Sequence, residues 1–238
     1  MSGQVMYESR DDGVAVLTIS RPDKLNSINL EIAEQLEAAW RRFSATPEDK
    51  VAVLTGEGAR SFTAGADLAD PPRKGYGYVA GVGVQVTKPI VCAVSGWCIG
   101  VGMALVQFAD LCVAGESAVF YYPEPQLGIT RGLMGALAAR IPHKIAMEVM
   151  LLGEKVPAER MLAYGLVNRL VPDGEVLATA IAMATRIAAT DGAVNEMLKY
   201  CVAQTVPRGP GEITEHLRWL GDQIAGNARG LPSPTVGN

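Results

Sequence analysis

A single glutamate, Glu124, stands between two prolines in the run FYYPEPQLG, with apolar and aromatic residues around it. Prolines fix the backbone and remove neighbouring N–H donors. An apolar setting raises a carboxylate's pKa toward neutrality, which suits it to pass protons. The plainer alternative is a surface-loop glutamate whose prolines serve only turn geometry. Upstream, GWCIGVGMALVQFAD (96–110) holds no acid, base or nucleophile before Asp110, yet Gly100 and Gly102 flank Val101 where an apolar strand-like run gives way to a helical pattern. The first N–H groups of a helix are unpaired and its dipole is positive there, while glycines let a ligand approach the backbone. Such a place stabilises an oxyanion. Taken alone, the same glycines are explained equally well by close strand–helix packing. A second stretch, SFTAGADL (61–68), again sets small residues around a glycine after an apolar strand, so two loops can aim two N–H donors at one oxygen. Gly100-Val101-Gly102 is not a dinucleotide fingerprint, because Leu105 occupies the third glycine position, and no G-K-[ST] occurs for a phosphate loop.

The elements that must position these groups are legible in outline. Val14 to Ser20 alternates like a strand, and Asn29 reads as the N-cap of a helix carrying Ile32, Leu36, Trp40 and Phe43 at helical spacing. Val51 to Thr55, Pro89 to Val94 and Leu111 to Ala114 are further apolar strands. Strands alternating with helices define an α/β core of mostly parallel strands whose ligand sites lie at strand ends. Gly75 to Gly83 (GYGYVAGVG) reads as a flexible connection. From about Leu133 the pattern turns helical: Ala136–Ile141, Lys144–Leu152, Ala158–Tyr164, Glu175–Ala189, Val194–Thr205 and Ile213–Ile224, with one strand expected over Leu166–Val171 and a disordered tail at GLPSPTVGN.

Composition narrows the function classes. The 238 residues suffice for one large domain or two small ones, 49% are hydrophobic, and the net charge of −4 with no basic cluster argues against nucleic acid as a partner. Cys92, Cys98, Cys112 and Cys201 lie in or beside apolar runs without a C-x-x-C pair, so they read as reduced core thiols. His143 and His216 have no second ligand at metal spacing, and no metal site is expected. No leader-like or spanning segment is evident, which points to a soluble, cytoplasmic protein without a membrane partner. Met103, Met134, Met147, Met150 and Met161 fall on apolar helical faces and read as packing residues.

Four segments in order, SRPDKLNSIN (20–29), SFTAGADL (61–68), KPIVCAVSGWCIGVGMALVQFAD (88–110) and AERMLAYGLVNRLVP (158–172), resemble the enoyl-CoA hydratase/isomerase family, the crotonase superfamily. The resemblance implies a crotonase-like α/β spiral of repeated β-β-α turns. Residues 1–171 would form the acyl-CoA-binding and catalytic core, and 172–238 a helical region for oligomerisation as a homotrimer or hexamer. It also implies an acyl-CoA thioester substrate and no cofactor beyond the coenzyme A that the substrate carries. Matched residue by residue, it places the two N–H donors for the thioester oxygen on Ala66 and Val101, with Gly100 beside the substrate. Lys24, Leu25, Ala64, Asp67 and Leu68 would line the region for the CoA adenine and phosphates; a solvated surface role stays open for Lys24.

Family hydratases carry a glutamate two residues beyond the second glycine, where this chain has Ala104, and another in a Q-P-E loop matched here by Tyr122-Pro123-Glu124. One carboxylate and two backbone donors fit proton transfer at carbon better than water addition, so the resemblance favours conversion of 3-enoyl-CoA to 2-enoyl-CoA. Hydration, another thioester reaction such as hydrolysis or decarboxylation, and non-catalytic acyl-CoA binding are the competing readings. The connection from Asp67 to Lys88 is shorter than the family's usual segment, and Arg131 reads either as a substrate contact or as a solvated residue.

Overall fold

Alternating apolar residues at the start of the chain produce the hairpin β1 (Gln4–Ser9) and β2 (Val14–Ser20), which leads to helix α1 (Leu30–Ala45). A repeating path follows in this computed structural model, which describes residues 3–72, 75–128, 132–209, 211 and 213–214. β3 (Val51–Gly56) runs on into β4 (Ser61–Thr63). β5 (Ile90–Val94) leads to β6 (Trp97–Ile99) and α2 (Val101–Phe108). β7 (Leu111–Gly115) then leads to β8 (Val119–Tyr121) and the short α3 (Glu124–Leu127). α4 (His143–Leu152), β9 (Lys155–Pro157), α5 (Ala158–Tyr164) and β10 (Arg169–Val171) complete the sheets, and α6 (Val176–Ala188) and α7 (Gly192–Thr205) follow.

Each turn of this path places one strand in a six-stranded sheet, ordered β1-β2-β3-β5-β7-β10, and the next in a four-stranded sheet, ordered β4-β6-β8-β9. The pairings from β2 through β10 in the large sheet are parallel, as are β4–β6 and β6–β8 in the small one. The architecture is the expected α/β spiral of β-β-α turns. Residue period two divides the large sheet's side chains between two apolar layers. Leu17, Leu54, Cys92 and Val94 lie in one apolar layer together with the buried Ile32, Leu36, Trp40 and Phe43 of α1. Val16, Val53, Val91 and Val113 face α6, which presents Val176, Ala180, Ala184 and Ala188 at four-residue spacing. Alanine at three of those four positions lets the helix lie close to the strands. The division expected at 171/172 thus falls between β10 and a helix that packs on the large sheet.

Both ends of α1 are satisfied by side chains. Asn29 accepts a hydrogen bond from the N–H of Ile32 (3.0 Å), as its N-cap position requires. At the other end Lys88 Nζ donates to the carbonyls of Phe43 (2.9 Å), Thr46 (2.7 Å) and Asp49 (2.9 Å).

Several expectations are corrected. Gly75–Gly83 is not a loose connection: Tyr76, Tyr78, Val79 and Val82 are buried in the main core, and the Trp40 indole N–H donates to the Tyr78 carbonyl (3.0 Å). The glycines turn the chain while the residues between them bury apolar area. In place of the helix expected over Ala136–Ile141 there is a 3₁₀ stretch, Leu133–Ala139, and the strand expected over Leu166–Val171 narrows to Arg169–Val171 because Leu166 and Val167 donate to the Met161 carbonyl within α5. Cys92, Cys98 and Cys112 are buried and their thiol pKa values are pushed up by burial, but Cys201 is exposed on α7. Met147 is also partly exposed rather than core. Among the described residues no helix is long and apolar enough to cross a membrane. Arg131, His216 and the tail lie outside the described residues, as does most of the helix expected over Ile213–Ile224.

Candidate active site

The turn after β4 is shaped by the segment beside it. Ala64 N–H donates to the Leu25 carbonyl (2.8 Å), Ile28 N–H to the Gly65 carbonyl (2.8 Å), and Asp67 N–H to the Ile28 carbonyl (2.9 Å). Ile28 therefore bonds to the residues on either side of Ala66, in the manner of a parallel bridge. That pairing turns the Ala66 N–H to the opposite side, where it meets no acceptor among the described residues. Gly65 has φ +87°, and a Cβ there would lie 2.7 Å from the Ile99 carbonyl oxygen and 3.6 Å from the Val101 nitrogen. Glycine is thus what lets the first donor's turn lie against the second donor.

The second donor comes from β6. Gly100 N–H donates to the Tyr121 carbonyl (2.9 Å), and at φ +54°, ψ −115° Gly100 turns the chain directly into α2. Val101 is the first helical residue, and its N–H, like that of Ala66, has no acceptor among the described residues.

β8 delivers the carboxylate. Pro123 caps α3, and Glu124 is its first residue. A Cβ on Gly100 would stand 3.0 Å from Glu124 Oε1, so the carboxylate lies against the residue that precedes the second donor. Glu124 Oε2 is buried and has no hydrogen-bond partner among the described residues, and burial raises the carboxyl pKa from 4.5 to about 7. Gln126 fixes the loop from behind: it accepts from the Tyr121 hydroxyl (2.7 Å) and donates to the Gly153 carbonyl (2.9 Å). Nothing in the local sequence marks Gln126, because its partner Gly153 lies on a different turn of the chain.

These groups share one cavity of about 410 Å³. Ala64, Ala66, Leu68, Gly100, Val101, Ala104 and Glu124 all lie on its wall, with Leu68 exposed at the surface. Glu124 is the one carboxylate among the described lining residues. Sequence reasoning did not find the rest of the wall, notably Tyr76, Tyr78, Leu133 and Met134, because those segments read as a connection and a helix. Lys24, Leu25 and Asp67 lie off this wall. Lys24 is exposed at the end of a 3₁₀ turn, and Leu25 pairs with Ala64. Asp67 is held by Arg21 Nη1 (2.6 Å) and the Ala69 N–H (3.0 Å), bonds that keep its carboxyl below the usual carboxylate range. His143 is exposed at the start of α4, and Asp110 is occupied by the Ile90 N–H and Lys199.

Two unpaired N–H groups beside a carboxylate of near-neutral pKa, in an otherwise apolar cavity, suit a carbonyl compound whose oxygen gains negative charge as a proton moves. The description of the family Enoyl-CoA hydratase/isomerase matches residues 9–218, and the chain belongs to that family of CoA-thioester enzymes. It is 31% identical over 221 residues to an (E)-benzylidenesuccinyl-CoA hydratase of Thauera aromatica, covering 87% of this chain and 86% of that one. It is 36% identical over 197 residues to a mevalonyl-coenzyme A hydratase of Aspergillus fumigatus, covering 73% and 68%. Among solved structures, a probable enoyl-CoA hydratase/isomerase from Mycobacterium abscessus superposes with a TM-score of 0.78 at 37% identity, over 86% of this chain and 82% of that one.

Proposed function

We propose that this enzyme converts a 3-enoyl-CoA into the conjugated 2-enoyl-CoA, with Glu124 as the only acid/base. The Glu124 carboxylate removes a proton from C2, and the electron pair of that C–H bond moves toward the thioester oxygen. The resulting enolate is held by the N–H groups of Ala66 and Val101. The protonated Glu124 then delivers its proton at C4 as the double bond shifts from C3–C4 to C2–C3. Atoms and charge balance, and no cofactor is needed beyond the coenzyme A of the substrate. Ala64, Leu68 and Gly100, on the cavity wall, would contact the substrate, with Lys24 and Leu25, off that wall, toward the CoA adenine and phosphates. Asp67, committed to Arg21, holds the turn.

The observation that carries this reading is Ala104: it is on the cavity wall, where family hydratases carry a glutamate, and leaves Glu124 without a second acid among the described lining residues. A second reading, hydration of a 2-enoyl-CoA, is favoured by the likeness to the Thauera aromatica and Aspergillus fumigatus hydratases. Glu124 would then have to both activate water and protonate the α-carbon. The test is a spectrophotometric assay of 3-enoyl- and 2-enoyl-CoA with wild type and Glu124→Gln. Turnover of the 3-enoyl substrate alone, reduced at least about 10²-fold by the substitution, supports isomerisation. Efficient hydration of the 2-enoyl substrate with the 3-enoyl substrate untouched overturns it. The assembly proposed is a homotrimer or a pair of trimers built through the C-terminal helices.

A further inference from the structure

Thr63, the last residue of β4, is fully buried. Its hydroxyl donates to the Asn26 carbonyl (2.7 Å) and accepts from the Gly65 N–H (3.1 Å), so it ties the turn that carries Ala66 to the Asn26 segment beside it. Its methyl serves the other donor: a Cβ added to Gly102 would lie 2.7 Å from Thr63 Cγ2, which places that methyl hard against the first turn of α2, beside Val101. One side chain thus touches both backbone segments whose N–H groups face the cavity.

The sheet itself does not fix those segments relative to each other. The β4–β6 pairing is irregular between Ser61 and Thr63 and ends at Thr63 opposite Cys98, short of both Ala66 and Val101. Asn26 gives Thr63 a rigid footing, because its side chain donates to the carbonyls of Glu57 (3.0 Å) and Ser61 (2.7 Å) and accepts from the Arg21 N–H (2.9 Å).

We infer that Thr63 is a positioning residue that sets the separation and aim of the Ala66 and Val101 donors through its hydroxyl on one side and its methyl on the other. The inference rests on the proposed oxyanion hole. Small displacements matter there, since misplacing reacting groups by about 1 Å can cost roughly 10²-fold in rate. The two functions of the side chain can be separated. Thr63→Val keeps the branched shape and leaves the Asn26 carbonyl and Gly65 N–H without their partner, whereas Thr63→Ser keeps the hydroxyl and removes the methyl.

The experiment measures the carbonyl stretch of a bound saturated acyl-CoA, its affinity by calorimetry, and kcat on the turned-over enoyl-CoA. Wild type is expected to lower the stretching frequency relative to free thioester. Thr63→Val should lose much of that shift and about 10- to 100-fold in kcat, with affinity changed by less than about threefold, because the remainder of the CoA contacts are untouched. Gly102→Ala should push against the methyl and give a similar loss, and adding Thr63→Ser to it should restore the shift by clearing the space. That pair carries the test if Thr63→Val does not fold. A shift and kcat that survive Thr63→Val, or a Gly102→Ala defect that Thr63→Ser does not relieve, overturn the inference alone. Wild-type binding with no carbonyl shift overturns the oxyanion hole on which it stands.

Discussion

Glu124 has a proton affinity set by its surroundings more than by its type. Burial moves its pKa to about 7, so the carboxylate needed to take the C2 proton is depleted below neutrality. In wild type, kcat/KM on the turned-over enoyl-CoA is expected to rise with pH and level off above about 7; a profile flat from pH 5 to 8 contradicts this role. The same shift has a consequence for folding. The folded pKa lies above the ordinary 4.5, so between the two values the unfolded chain releases its proton first and stability falls as pH rises. Below that interval the carboxyl is protonated in both states and the penalty vanishes. Glu124→Gln is therefore expected to be more stable than wild type at pH 8 by about 1 kcal/mol, a modest size because solvent reaches part of the group. Melting curves should show the variant about 2–4 °C higher at pH 8 and level with wild type near pH 4. The sequence made Glu124 visible because its flanking prolines and the family match are local. Gln126, Asn26 and Thr63 were invisible because each acts through a bond to a remote backbone group, and nothing in a polar residue's neighbours announces such a partner.

At the level of elements, legibility followed burial. β3, β5 and β7 are continuous apolar runs because the large sheet is covered on both faces, β2 alternates toward its end, and those four were readable. The small sheet is built from three-residue strands, too short to express a period, so β4, β6, β8 and β9 escaped notice even though β4, β6 and β8 directly precede the functional turns. Their brevity places the catalytic geometry in the turns, and there Gly65 is the most constrained position. Its φ of +87° and the Ile99 oxygen 2.7 Å from a prospective Cβ oppose any side chain. Gly65→Ala is expected to lower stability by about 2 kcal/mol, from left-handed strain plus the contact. It should also reduce kcat/KM at least about 10²-fold by displacing Ala66 from Val101. Urea unfolding and steady-state kinetics check both; a stable variant of unchanged activity would show that the close approach of these turns is dispensable.

For the whole molecule, the open question is what covers α7. α6 closes the back of the large sheet with valine and alanine, but α7 has no buried side chain and is tied down by polar bonds. Lys199 donates to the Lys88 carbonyl (2.9 Å) and Asp110 (2.8 Å), and the Thr87 hydroxyl donates to Glu196. Its outer side carries Val194, Met197, Leu198, Tyr200 and Val202, each more than half exposed. A stripe of that kind on an otherwise anchored helix is what an interface between copies requires, and isolated it would leave an apolar patch in water. Light scattering on the purified protein is expected to give three or six subunits. Leu198→Glu, which sets a charge within the stripe and lies far in sequence from the cavity residues, should shift the mass toward one subunit while Glu124-dependent turnover persists at reduced thermal stability. A wild-type monomer, or a Leu198→Glu variant that keeps its assembly, would mean that α7 is not the surface on which subunits meet.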